Sequence, residues 1–150
     1  AEAIPGSVEF LQYAASRGVD VFYVTNRKPF NKNGTLENLK RKGFPQADES
    51  HLFLRTDESS KEQRRQKIAE THQIVLLIGD NLADFSSVFD RKSVQERNSE
   101  VEQLKVEFGK KFIVLPNPIY GDWEDAIYTY QSGVPDSLKN VKRKAALKVF

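Results

Sequence analysis

The chain has 150 residues, 39% hydrophobic and 29% charged, a composition suited to one domain with a single core. Lys plus Arg number 23 against 21 Asp plus Glu, and the resulting net charge of +2 is too small to mark a polyanion-binding protein. The absence of cysteine excludes disulfides, thiolate zinc sites and thiol nucleophiles, while two histidines cannot build a histidine-rich metal site and no apolar run is long enough to span a bilayer.

Ala1-Glu2-Ala3-Ile4 carries neither an initiator Met nor a basic and apolar leader, and reads as the start of a processed or truncated product. Pro5 suits a helix start, and Val8, Leu11, Ala14 and Ala15 follow at helical spacing up to Gly18. Val19 to Val24, rich in β-branched and aromatic residues, reads as a buried strand ending at Thr25. Thr35 to Lys42 reads as an amphipathic helix stopped by Gly43, and His51 to Leu54 as a second short strand. Ser59 or Ser60 caps a polar helix running to about Thr71. Gln73 to Ile78 is the most hydrophobic strand and breaks at Gly79-Asp80. A charged helix over Ser93 to Glu107 leads to a strand at Lys111 to Leu115, then a Pro-rich loop and one or two closing helices. The basic end, Lys139, Lys142, Arg143, Lys144 and Lys148, reads as a solvated helix face.

Apolar strands separated by helix-sized segments predict a parallel sheet with helical crossovers, covered on both faces. In such sheets ligands bind beyond the carboxyl ends of the strands, so the residues after each apolar run carry the chemical information. Asp80 and Asp84, four apart after a strand, would converge near its tip and suit Mg²⁺, which takes one or two carboxylates and keeps several waters. The alternative is a helix cap, with Asp80 or Asn81 accepting backbone amides. Thr25, Asn26 and Arg27 offer a hydroxyl, an amide and a guanidinium to phosphate oxygens, or else end a strand and form a surface ion pair. Lys61, in the first turn of its helix, would strengthen an anion site there. No Gly-x-Ser-x-Gly elbow, phosphate-binding Gly-x-x-x-x-Gly-Lys-Ser/Thr loop or His-Glu-x-x-His helix occurs.

Taken together, Ile4-Pro5-Gly6, Val24-Thr25-Asn26-Arg27, Lys61-x-x-Arg64, Gly79-Asp80-Asn81-Leu82-x-Asp84-Phe85 and Pro116-Asn117-Pro118-x-Tyr120-Gly121-x-Trp123 resemble the haloacid dehalogenase superfamily. More narrowly they resemble the class C acid phosphatases, bacterial lipoprotein-type phosphomonoesterases, some acting on nucleotides. The resemblance implies a Rossmann-like α/β fold and an extracytoplasmic, Mg²⁺-dependent hydrolase of phosphate monoesters, possible 5′-nucleotidase activity included. By position it gives Thr25 the hydroxyl that bonds the transferring phosphoryl group, with Asn26 and Arg27 beside it, and Lys61 the charge that neutralises phosphate and nucleophile. It makes Asp80 the metal ligand and Asp84 a holder of the metal or its waters, and lets Tyr120 either stack on a nucleobase or aryl leaving group or pack its own loop. Trp123 lies in the same loop, where packing is the plainer role.

The family's nucleophile and acid/base sit in an Asp-x-Asp segment at the tip of an early, central strand, and no Asp-x-Asp occurs in these residues. The expectation is therefore a single core domain over residues 1–150, incomplete at its N-terminus, lacking the central strand and inactive alone. The missing segment would be supplied noncovalently, or belong to the same protein, or its loss would let the strands at 19–24 and 74–78 collapse into an altered sheet. Otherwise each strand keeps an unpaired apolar edge. Any membrane attachment would run through a lipid anchor outside these residues. The rival readings are a noncatalytic relative serving as a binding module and a sugar or lipid phosphatase of the same superfamily.

Overall fold

The structure, a computed structural model, describes residues 2–147. The chain divides into two compact units, Ala1–Lys67 and Ile68–Phe150, each built around one parallel pair of strands.

In the first unit α1 (Ser7–Ser16) leads to β1 (Tyr23–Val24), α2 (Lys32–Arg41), β2 (Leu52–Phe53) and the start of α3 (Glu62–Ala69). Gly6, in left-handed conformation, is the N-cap of α1, so the helix begins after Pro5 rather than on it. Val8, Leu11, Ala14 and Ala15 form its half-buried stripe, as their spacing requires. α2 buries Thr35 and Leu36 and starts earlier than Thr35, because a 3-10 turn over Pro29–Asn31 feeds directly into it.

β1 and β2 pair in parallel with Tyr23 opposite Leu52 and Val24 opposite Phe53. The ladder is shorter than the run at 19–24 for a local reason. The Val21 amide donates to Gln46 Oε1 at 2.6 Å instead of to a neighbouring strand, and Gln46 Nε2 bonds Asp20. Around the pair, Tyr23 packs edge-on against Phe44 and Phe22 against Phe53. Asp48 accepts from Ser50 and His51 in the turn that leads into β2.

In the second unit β3 (Leu77–Gly79) is followed by 3-10 turns at Leu82–Asp84 and Ser87–Phe89, α4 (Val94–Gln103), β4 (Phe112–Val114), α5 (Asp122–Ile127) and α6 (Asp136–Ala146). β3 and β4 pair in parallel, Leu77 opposite Phe112 and Gly79 opposite Val114. The two turns drop Phe85 and Phe89 into the core, where Phe89 is fully buried and Phe85 stacks on Phe112 at 5.1 Å with Phe108 edge-on to both. Burying a Phe side chain contributes about 1.5–3 kcal/mol, so this cluster anchors the unit.

The strand expected over Gln73 to Ile78 joins the ladder only at its end, and Val75 and Ile78 stay 58% and 42% exposed. It is thus not the strand covered on both faces that its apolarity suggests: pairing with β4 fills one edge and leaves these side chains, which stand on the faces, largely open to water. α4 stops at Gln103, short of Glu107, and its start is fixed by a reciprocal box in which Ser93 Oγ accepts from the Glu96 amide and Glu96 from the Ser93 amide. The basic end is more than a solvated face: Lys139 and Arg143 lie over the Tyr128 ring, and Arg143 pairs with Glu124. Lys148 lies outside the described residues. No helix among the described residues is long and apolar enough to cross a membrane.

Candidate functional site

Two strand tips carry the residues singled out by the sequence, one in each unit.

At the tip of β1, Thr25 keeps its amide in the ladder, bonded to Phe53 O at 2.9 Å, and its hydroxyl accepts from the Arg27 amide at 3.3 Å. The organiser of this tip is Arg64. Its Nη1 donates to Thr25 O at 2.6 Å, and its Nη2 to Asn26 Oδ1 at 2.7 Å and Ser60 O at 2.9 Å. Because the carbonyl end of the Asn26 amide faces a guanidinium, Nδ2 is the end that offers donors to an anion. Burial holds the Arg64 guanidinium below its usual pKa range, with the charges of Arg55 and Arg65 adding to the shift.

Lys61 is the N-cap residue of α3, one position before the first turn: its carbonyl receives the Arg65 amide, and Ser60 Oγ accepts from the Glu62 amide. It stands where backbone amides and the helix dipole already favour negative charge. Arg27 is engaged by α2. Its Nη1 donates to the buried Thr35 hydroxyl at 3.2 Å, beside an open depression of about 400 Å³ lined also by Phe30, Asn31 and Gly34.

At the tip of β3 the two aspartates do different work. Asp80 is exposed, and its Oδ2 accepts from Asn117 Nδ2 at 2.9 Å. The other end of the same amide, Asn117 Oδ1, accepts from the amides of Ile119 and Tyr120, so Asn117 ties Asp80 to the loop after β4. Asp84 folds back: its Oδ2 accepts from the amides of Asp80 and Asn81, both at 3.2 Å. This return is possible because residue 79 is glycine; a Cβ there would lie 2.5 Å from the Asp84 carboxylate. The turn is capped, but not wholly as the alternative reading had it: Asn81 and Asp84 form the box, and Asp84, half-buried, accepts the amides of Asp80 and Asn81.

Gly121 answers a similar demand. At φ +146 it adopts backbone that side chains avoid, and a Cβ would meet Asn81 Nδ2 at 2.3 Å. Tyr120 is 67% exposed, free of core duty, whereas Trp123 Nε1 is buried with no hydrogen-bond partner. Asp122 is pushed above its ordinary pKa by burial, against the opposing charge of Arg97.

Among the described residues no three His, Asp or Glu side chains gather as a cation cage. One exposed carboxylate at a strand tip fits a cation that keeps most of its waters, as Mg²⁺ does, better than one demanding a full protein shell. Arg64, Asn117 and Arg97 are the residues to which sequence reasoning assigned no role. The one-turn spacing of Lys61 and Arg64 was a signal for the first, and the place of Asn117 just after the last apolar strand was one for the second; Arg97 had none.

A model of the haloacid dehalogenase (HAD) superfamily, subfamily IIIB (acid phosphatase), matches residues 1–123. Among solved structures, the class C acid phosphatase from Bacillus anthracis is similar over 100% of this chain, at 49% identity and a TM-score of 0.94. The crystal structure of that enzyme with tungstate bound matches at 49% identity and a TM-score of 0.95. In both cases the chain spans 63% of the length of the matched structure. With strand-tip donors after β1, an exposed aspartate after β3 and a family match over most of its length, the chain belongs to the HAD-superfamily acid phosphatases of subfamily IIIB.

Proposed function

We propose that the intact protein is a Mg²⁺-dependent phosphomonoesterase and that the residues of both strand tips serve one phosphoryl transfer. The observation that carries this reading is the 49% identity to a class C acid phosphatase over the whole chain, the tungstate complex adding an oxyanion bound by that relative. In the proposal Thr25 Oγ1 and Asn26 Nδ2 donate to the equatorial oxygens of the phosphoryl group. Arg64 holds both by their carbonyl ends, and Lys61 offsets the charge of ester and nucleophile. Asp80 would hold the cation, oriented by Asn117, while Asp84 fixes the turn from behind. When bound, Mg²⁺ would supply a positive charge against the phosphoryl oxygens.

The attacking carboxylate would come from a segment outside these 150 residues, which contain no Asp-x-Asp; it would form an aspartyl-phosphate as the ester P–O bond breaks and the alcohol departs, and water would then release inorganic phosphate and restore the carboxylate. Residues 1–150 would then be one part of a single catalytic domain that includes this segment, and alone they turn over nothing. Nucleotides are the proposed substrates, with Tyr120 as the exposed ring for a base or aryl group, and action outside the cytoplasm, by way of a lipid anchor, belongs to the same proposal.

The test is hydrolysis of a nucleoside 5′-monophosphate, an aryl phosphate and a sugar phosphate by the intact protein, with Mg²⁺ and after chelation. Hydrolysis of the first two that stops on chelation is the expected result. Undiminished turnover without the cation, or no turnover of any ester, contradicts it.

A further inference from the structure

α4 is a polar helix, yet Arg97 on its inner side is only 5% exposed. A guanidinium this deeply buried is held only where its donors are matched. Here Nη1 donates to Phe89 O at 3.1 Å and stands 3.9 Å from Asp122 Oδ2, and Nη2 donates to Asn81 Oδ1 at 3.4 Å. These partners lie in three different segments: the end of the second 3-10 turn, the start of α5 and the turn directly after Asp80.

Asn81 is the junction. Its backbone amide binds Asp84, its side-chain oxygen meets Arg97, and its Nδ2 fills the space that Gly121 leaves open. From Gly121 the chain runs straight into Asp122, so Arg97 grips the Asp80–Asp84 turn and the Gly121–Trp123 segment together. Asp80 itself is tied through Asn117 to the amides of Ile119 and Tyr120, which lead into Gly121.

We propose that Arg97 is a positioning residue for the Asp80 carboxylate, setting the turn on which it sits so that cation affinity depends on a guanidinium that never touches the cation. This rests on the assignment of Asp80 as the cation ligand. Lysine cannot replace it, because a single ammonium cannot meet Phe89 O, Asn81 Oδ1 and Asp122 in one plane. Trp123, the only tryptophan of the chain and next to Asp122, provides a built-in reporter.

The experiment is a titration of the intact protein with Mg²⁺ alone, followed by calorimetry and by Trp123 emission, for wild type, Arg97→Lys, Arg97→Met and Asp80→Asn, each with its melting temperature. Asp80→Asn should abolish binding. Both Arg97 variants, still folded, should bind the cation at least about tenfold more weakly and lose the Trp123 response. A purely structural role would lower the melting temperature and leave the affinity of the folded protein unchanged, which would overturn the proposal. Where the Arg97 variants fail to fold, Asn81→Ala cuts only the link to the turn: a tenfold loss supports the proposal, and wild-type affinity overturns it. Wild-type affinity in Asp80→Asn would instead remove the ligand assignment on which the proposal rests.

Discussion

The two units share a topology, a parallel strand pair followed by loops that carry polar groups, yet different forces hold them. The second is an aromatic core with a guanidinium buried beside it: Phe85, Phe89, Phe112 and Tyr128 are all at most 7% exposed, as is Arg97. The first has a thinner aliphatic core, Val21, Leu36 and Leu52, stitched by side-chain-to-backbone bonds from Gln46, Tyr23 and Arg64. A strand tip can thus be fixed by packing beneath it or by hydrogen bonds across it. The two modes should fail differently.

The largest expected effect is in the second unit. Phe89→Ala leaves a cavity where the side chain is fully buried, and should destabilise by about 3–5 kcal/mol in chemical denaturation. Leu52→Ala, the counterpart in the first unit, should fall at about 2–3 kcal/mol. Equal losses would erase the contrast.

Arg64→Met tests the hydrogen-bonded mode. It leaves Thr25 O, Asn26 Oδ1 and Ser60 O without their donor, and should cost about 1–3 kcal/mol and lower kcat/KM of the intact enzyme by more than tenfold. Stability lost with kcat/KM retained would confine Arg64 to folding.

The pH dependence should differ in sign between the units. Hydrogen bonds from Ser50 and His51 hold Asp48 at about 2, below the ordinary carboxylate value. Its contribution is therefore present above the unfolded pKa and is lost as pH falls through about 2. Burial raises Asp122, so its contribution is present below the unfolded pKa and is lost as pH rises through the raised folded value. Asp48→Asn should then lower the melting temperature at neutral pH and converge with wild type near pH 2. The melting temperature of wild type relative to Asp122→Asn should instead fall as pH rises from acid to neutral, the opposite slope to Asp48→Asn. Parallel curves for the two variants would show that burial does not dominate at Asp122.

The smallest expected effect is at Thr129, a β-branched residue at φ +54 after α5. Thr129→Gly relieves left-handed backbone and should stabilise by about 1 kcal/mol in thermal melts. Destabilisation would mean that the Thr129 hydroxyl bond to Tyr128 O outweighs the strain.

Helix faces were legible in the sequence because periodicity reports burial directly, as with Val8, Leu11, Ala14 and Ala15 in α1. Parallel pairing was legible from apolar runs spaced by helices, and both strand pairs bear it out. Strand lengths were not: nothing local says that Gln46 will take the Val21 amide, or that Val75 will face water. At the tips, Thr25, Asn26 and Asp80 stood out because hard donors and acceptors follow apolar strands. Arg97 was invisible, since a charged residue in a charged helix carries no mark of the cavity that receives it. Asn117 stood among the residues after the last apolar strand, but its bond to Asp80, across 37 positions, was not legible there.

The central claim is that Lys61, after one strand, and Asp80, after another, act on a single reaction, and a double-mutant cycle measures this directly. Intact enzyme carrying Lys61→Met, Asp80→Asn or both would be assayed for kcat/KM on one phosphate monoester. Each single variant should lose about a hundredfold or more, and the pair far less than the product of the two, as groups that serve one transition state do. Losses that multiply as independent factors, or a single variant with wild-type turnover, would contradict it.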